Sequence, residues 1–345
     1  PDPAGGNLIV RFSHRTPLQP RDLGLILGYR CQAACAHCLY NCGPGWRDWM
    51  TPDEVRAALS AAKHAWGSGF QVHLTGGEPF LNYPLLLEAA EIASGMDIPV
   101  YVETNGGWCR DMDRAEARFR ELREAGLGAV LVSVSPFHQE AIPLGRVLEA
   151  ISAARAVFNP GRVIVYQVDW LPELSQHGLS ERVPLERYAE KYGKTRAGLH
   201  LWINYGLISG GRAGYRLGDW VPKRPAESFK GETCREELLY AQHSHLDLYG
   251  NFIPAFCGGM RLGDWHELQG VIEAARKGDF PPMIARLLEE GPYGLYKLAR
   301  EDFGYQSLAG GYAGKCHLCV DIRKHLDQKG AYPESLVPKQ FYESF

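Results

Sequence analysis

The sequence predicts an α/β protein: a parallel sheet with crossover helices, followed by a smaller C-terminal region. Strand and helix signals alternate from Leu23 to about Tyr215, and that alternation implies parallel strands. A stretch rich in Gly, Pro and Arg, from Gly210 to Lys230, then separates this array from the shorter remainder.

The elements follow in order. Leu25-Ile26-Leu27 is a short apolar run that ends before Arg30 and the first cysteines. Thr51 opens a helix: Pro52 sits in its first turn and Glu54 lies three residues on, a capping box. Val55, Ala58, Leu59 and Ala62 then form one buried stripe. Strands are predicted at 70–74, 99–103, 129–134, 163–168 and 199–205, and helices at 84–93 and 114–123. Val147, Ala150, Ile151, Ala154 and Phe158 mark a further helix. Six strands fall short of an eight-stranded barrel, so a partial barrel or an open sheet fits. In both, loops after the strand C-termini form the site. Beyond the linker stand turn signals at Tyr249-Gly250-Asn251 and Gly258-Gly259, and helices near 267–277 and 281–290. No internal repeat or low-complexity tract is visible.

Composition excludes several classes. With 345 residues, 45% hydrophobic and 22% charged, the chain can bury a large core and is neither disordered nor fibrous. A net charge of −3 offers no general attraction for nucleic acid or anionic membrane. No apolar run approaches a membrane span, and Asp2 and the early prolines leave no signal-peptide core. The expectation is a cytoplasmic globular protein without nucleic-acid or membrane partners.

The nine cysteines are the informative excess. Their odd number, with Cys31, Cys35 and Cys38 within eight residues, suits a metal site better than disulfides. A compact loop of this spacing can wrap three thiolates around a [4Fe–4S] cluster and leave the fourth iron open to a small molecule. Zinc would want four donors; His37 sits awkwardly between the ligands, and Cys42 is a candidate fourth. A second group comprises Cys234, Cys257, Cys316 and Cys319. Four-cysteine zinc and a second cluster are both open to it.

Cys31-Gln-Ala-Ala-Cys35-Ala-His-Cys38 after the first strand, with Gly76-Gly77-Glu78-Pro79 ending the second, resembles the radical S-adenosylmethionine (SAM) superfamily over roughly residues 22–325. The resemblance implies a partial (β/α)6 TIM-like barrel, a SAM-binding [4Fe–4S] cluster held by Cys31, Cys35 and Cys38, and SAM itself. Gly76 and Gly77 would let backbone approach the methionine amino group, and Glu78 would accept its hydrogen bond. His37 departs from the aromatic residue that often precedes the last cysteine. Thr104 and Asn105 after strand three, and Ser133 and Ser135 after strand four, are expected along the same rim. Gln167 and Arg212 are expected as carboxylate contacts, and His138 as a loop histidine near the rim.

The C-terminal cysteines resemble a SPASM or shorter twitch extension holding an auxiliary [4Fe–4S] cluster, although the gap from Gly250 to Cys257 is two residues longer than that pattern. Nothing after Cys319 would serve a second auxiliary cluster, so twitch fits best. The implied division is an N-terminal extension at 1–21, the barrel at 22–215, a linker at 216–233, the cluster domain at 234–325 and a tail at 326–345. Cys109 would stand near the substrate, as a hydrogen-atom donor or as a spectator thiol.

The resemblance implies an oxidoreductase. A low-potential donor such as flavodoxin or ferredoxin would supply the electron for SAM cleavage, and the auxiliary cluster would accept the one left on substrate. Substrate would be a peptide or small metabolite. The short segment before strand one argues against a fused leader-peptide-binding domain, leaving room for a separate recognition protein. The alternatives are a redox-neutral enzyme, such as an epimerase using Cys109, or a non-catalytic iron–sulfur carrier or zinc-stabilised module.

Overall fold

In the computed structural model, which describes residues 16–343 and 345, eight strands form one sheet. They are β1 (Asp22–Gly28), β2 (Gln71–Gly76), β3 (Val100–Thr104), β4 (Ala129–Ser133), β5 (Val163–Tyr166), β6 (His243–Asp247), β7 (Asn251–Pro254) and β8 (Gly263–Asp264). The spatial order is β5-β4-β3-β2-β1-β6-β7-β8. β1 to β5 run parallel, β6 joins β1 in parallel on its other side, and β7 and β8 continue antiparallel. The α/β class with a mostly parallel sheet is as the sequence predicts, and the sheet is open.

Period-two alternation gives the sheet two unlike faces. Leu23, Leu25, Leu27, Val72, Leu74, Val102, Val130 and Val132 are fully buried. The opposite face carries Tyr101, Glu103, Leu131 and Ser133, which look into a cavity. The helix Pro52–Trp66 starts at the predicted capping box: the Thr51 hydroxyl accepts from the Glu54 amide, and the Thr51 amide donates to the Glu54 carboxylate. Val55, Ala58, Leu59 and Ala62 form its buried stripe. Such a cap contributes about 1 kcal/mol.

One predicted strand is wrong. Residues 199–205 fall in and just after the helix Lys194–Asn204. Ala197, Leu201 and Tyr205 are buried at intervals of four, whereas Ile203 is 72% exposed. A short apolar run fits both periods, and here the helical one wins. The sixth parallel strand is instead β6, whose polar residues disguise it in the sequence.

The expected linker, 216–233, is packed: Leu217, Trp220, Ala226 and Phe229 are buried. Residues 234–325 contribute β6 to β8 to the common sheet. Helices Leu268–Lys277 and Pro282–Phe303 occupy the predicted places, the second bending at Gly291. The tail packs back on the first cysteine loop, where the Asn41 amide donates to the Phe341 carbonyl at 2.6 Å. Residues 1–15 of the expected N-terminal extension, with Asp2 and the early prolines, lie outside the described residues. Among the described residues no helix is long and apolar enough to cross a membrane.

Candidate functional site

The loop after β1 folds back on itself. Cys31 N–H donates to the Gly43 carbonyl and Gly43 N–H to the Tyr29 carbonyl, each at 3.1 Å. This closure brings Cys31, Cys35, Cys38 and Cys42 to one wall of a cavity of about 580 Å³ at the C-terminal ends of the parallel strands. None is in a disulfide. Burial pushes the Cys31 thiol up to about 12 and the Cys35 thiol well above the ordinary range. Cys38 is drawn down to about 5, chiefly by a hydrogen bond from the Cys42 thiol. Three thiols buried together are costly to ionise without compensating cations, and cluster irons supply that compensation. The donor set fits a cubane. The Cys42 thiol also points at the Gly76 carbonyl at 3.4 Å, so its hydrogen bonds are local.

Arg212 holds the loop from the far side. Its amide donates to the Cys38 carbonyl at 3.0 Å and its Nε to the Cys35 carbonyl at 3.1 Å, and its guanidinium also reaches the Cys42 carbonyl. Arg212 also lines the cavity.

Gly76 and Gly77 serve a close approach of strands. A Cβ on Gly76 would lie 2.2 Å from the Gly28 carbonyl oxygen, and one on Gly77 2.0 Å from that of Arg30. Their backbone lines the cavity. Glu78 departs from expectation. Its carboxylate is fully buried and is not part of the cavity wall. It accepts from Thr104 Oγ1 at 2.8 Å, the Asn105 amide at 2.8 Å and the Phe80 amide at 3.2 Å. Burial pushes its carboxyl up to about 7. Glu78 therefore splices the end of β2 to the end of β3.

Thr104 and Asn105 line the cavity. Asn105 is tied to the cysteine loop: Gln32 Nε2 donates to its Oδ1 at 2.7 Å, and its Nδ2 lies 3.5 Å from Cys31 Sγ. Ser133 lines the cavity, but Ser135 does not. Ser135 instead caps the short helix Pro136–Gln139 and meets His138 Nδ1 at 2.6 Å. His138 is not a solvated loop residue: it lies on the wall, and burial pushes its imidazole down to about 4. His37 also faces the cavity, stacked on Phe137 with ring centroids 4.6 Å apart.

Two expected residues are not brought in. Gln167 does not line the cavity but donates its amide to the carbonyl of the wall residue Tyr205 at 3.0 Å, while its neighbour Tyr166 lines it. Cys109 is 1% exposed, behind the wall, and burial pushes its thiol up to about 11. The sequence reading missed His243 and His245, which line the cavity from β6. Their alternation in His243-Ser-His245 was the available signal.

Cys234, Cys257, Cys316 and Cys319 converge on a second, smaller cavity of about 50 Å³. Cys316 and Cys319 stand in the first turns of the helix Lys315–Gln328, and Cys257 follows β7. Burial pushes Cys316 up to about 12. Lys315 and Arg323 border the same space. Ile208 and Phe256 belong to both cavities, so they form a shared wall.

Residues 25–168 match the model of the Radical SAM superfamily, whose members bind a [4Fe–4S] cluster and SAM. The matched segment includes β2 to β5 and the first cysteine loop. Among curated proteins, YydG of Bacillus subtilis (strain 168), whose name assigns it to peptide biosynthesis, is 26% identical over 119 residues, 34% of this chain and 37% of that one. The chain thus matches little more than a third of that relative's length. Among solved structures, anSMEcpe with bound AdoMet and Cp18Cys peptide is 14% identical with a TM-score of 0.43, covering 90% of this chain and 97% of that one. BtrN in complex with AdoMet and 2-DOIA is 15% identical with a TM-score of 0.39, covering 75% and 86%.

Proposed function

We propose that the protein is a radical SAM oxidoreductase that acts on a peptide and uses a second iron–sulfur cluster to complete a net oxidation. One observation carries the reading: three cysteines of a closed loop, Cys31 and Cys35 buried and Cys38 half-buried, share one cavity at the strand ends with the Gly76-Gly77 backbone, within the segment that matches the Radical SAM model. Its volume falls in the roughly 300–1,000 Å³ range of small-molecule sites.

Cys31, Cys35 and Cys38 would hold the cluster and leave its fourth position to the amino and carboxylate groups of SAM. When bound, cluster and SAM together supply a 5′-deoxyadenosyl radical after one-electron reduction by a donor such as flavodoxin or ferredoxin. The chain's own residues bind and aim. Arg212 and Asn105 fix the loop, Gly76 and Gly77 offer backbone polar groups, and Tyr101, Leu131, Tyr166 and Tyr205 line the cavity with aromatic and apolar surface.

The C-terminal cysteines support the oxidative half of the reading. A tetrahedral zinc site with Zn–S of about 2.3 Å needs sulfurs roughly 3.8 Å apart. Among the described residues, the group of three or more His, Cys, Asp or Glu ligand atoms lying mutually within 4.8 Å consists of histidines, not these cysteines. The wider spread of the cysteines favours a cubane. The wall shared through Ile208 and Phe256 favours electron exchange between the two sites. A peptide substrate is favoured by the name of the Bacillus relative. A non-catalytic iron–sulfur carrier would have no use for an open cavity against the three cysteines.

The test is anaerobic incubation of the reduced, reconstituted protein with SAM. Formation of 5′-deoxyadenosine, abolished in Cys35→Ala, is the expected result. Its absence from fully loaded wild-type protein would sink the reading.

A further inference from the structure

We propose that His73, His243 and His245 form a binding site for a divalent first-row metal ion such as zinc, on the floor of the cavity and separate from both cysteine groups. The ion's remaining position would face the cavity and take water or an oxygen or nitrogen donor of the substrate.

The sheet builds this cluster. In the register of β2, β1 and β6, His73, Gly24 and His245 stand side by side on one face, and His243 lies two residues before His245 on the same face. Gly24 makes the convergence possible: a Cβ there would lie 2.1 Å from His245 Cδ2 and 2.7 Å from His73 Nε2. Across that gap the three histidines each offer a ring nitrogen within 4.8 Å of the others. His243 Nε2 and His245 Nε2 are 3.0 Å apart.

The hydrogen bonds around the rings decide what these nitrogens carry. His73 Nδ1 meets Asp22 Oδ1 at 2.7 Å, a carboxylate acceptor, so the ring proton belongs on Nδ1. Asp22 is itself held by Tyr101 and Gln71. His245 Nδ1 likewise meets the Ala255 carbonyl at 3.1 Å. Both Nε2 atoms are then lone-pair donors facing the same point. The Tyr40 hydroxyl, 3.1 Å from His245 Nε2, and His243 Nε2, 3.0 Å from it, can each offer that nitrogen a proton, but His73 Nε2 has no such neighbour. His73 Nε2 remains buried without a hydrogen-bond partner in a side chain that is fully buried, and an unpartnered buried nitrogen of this kind is rare.

A cation satisfies all three lone pairs at once. An imidazole locked by a carboxylate or carbonyl on its other nitrogen is the usual arrangement of a histidine ligand. Imidazole suits zinc and neighbouring first-row ions. At about 2.0–2.1 Å per bond the nitrogens would stand roughly 3.3 Å apart, which small ring rotations achieve. Glu103, whose Oε1 is 3.9 Å from His73 Nε2, adds negative charge at the edge of the site. His243 and His245 share the cavity with the cluster cysteines, so the open position faces the space where substrate would react.

The test uses the cluster-loaded protein, with both cysteine groups occupied, dialysed anaerobically against zinc sulfate. Metal analysis should find about one zinc per chain, and crystals should show a zinc-edge anomalous peak at the three Nε2 atoms. His243→Ala, at the half-buried edge of the trio, should lower zinc affinity at least a hundredfold with iron content unchanged. Asp22→Asn should lower it roughly ten- to a hundredfold by freeing the His73 ring. Zinc uptake equal in wild type and His243→Ala, or anomalous peaks only elsewhere, would overturn the proposal. If His243→Ala fails to fold, the wild-type anomalous map decides by itself.

Discussion

Replacing Glu78 separates a structural splice from a direct SAM contact. The buried carboxylate accepts hydrogen bonds from Thr104, Asn105 and Phe80. Glu78→Ala leaves three buried donors without an acceptor, at about 1–3 kcal/mol each. Partial relief by water and hydroxyl rotation brings the expected loss to about 3–5 kcal/mol. A melting temperature lower by roughly 4–7 °C follows from the usual scaling for a chain of this length.

The pH dependence gives a second signature. Burial raises the folded carboxyl from 4.5 to about 7, so between these values the folded state binds more protons than the unfolded one. The associated stability is fully present below the unfolded value and is lost as pH rises through the folded value. With one unit worth 1.36 kcal/mol, the wild type should lose about 1.4 kcal/mol between pH 6 and 8 from this group, and Glu78→Gln should lack that component. Thermal unfolding of the reconstituted protein by circular dichroism at pH 6, 7 and 8, together with SAM binding by calorimetry, measures both effects. Glu78→Ala within 1 kcal/mol of wild type, yet binding SAM more than about tenfold more weakly, would refute the reasoning and return the carboxylate to the ligand.

The other expectations are more direct. Alanine at Cys31, Cys35 or Cys38 should abolish 5′-deoxyadenosine formation, measured by chromatography after anaerobic reduction. Iron analysis should give about eight irons per chain, falling to about four when all three are replaced; about one zinc at the C-terminal cysteines with only four irons would move that site to a structural class. Cys316→Ala should still release 5′-deoxyadenosine but yield no oxidised product, read by mass spectrometry. Cys109→Ser should leave product formation unchanged, because its thiol lies behind the cavity wall; loss of product with intact SAM cleavage would restore it as a hydrogen donor.

Much of the fold was legible because local signals and tertiary structure agree. The capping box at Thr51 and the stripe from Val55 to Ala62 need no distant partner to be recognised. β6 was not legible. Its exposed-looking alternation of His243, Ser244 and His245 reads as loop, and only pairing with β1 shows that the histidines line a cavity. Residues 199–205 failed for the opposite reason, since a short apolar run carries both periods and only packing chooses. The same division holds at the site. Cysteine spacing is local chemistry, so the convergence of Cys31, Cys35 and Cys38 on one cavity could be read directly. The work of Glu78 and the placement of Cys109 depend on which neighbours the chain folds against them.

The geometry between the two cysteine groups ties these points together. Leu39, next to Cys38, has its carbonyl 2.2 Å from where a Cβ on Gly258 would stand, and Gly258 follows Cys257. A Cβ on Gly210 would touch both Leu39 and Cys316. Glycines at these positions let the first cysteine loop sit directly on the C-terminal group, with Ile208 and Phe256 completing the wall. If both groups hold iron–sulfur clusters, as proposed, this proximity would serve electron exchange between them. The start of the apparent linker is therefore built into the site. Its Gly211-Arg212 segment grips the carbonyls of Cys35, Cys38 and Cys42, and Gly210 beside it leaves room for Cys316, so one short stretch sets the position of both groups.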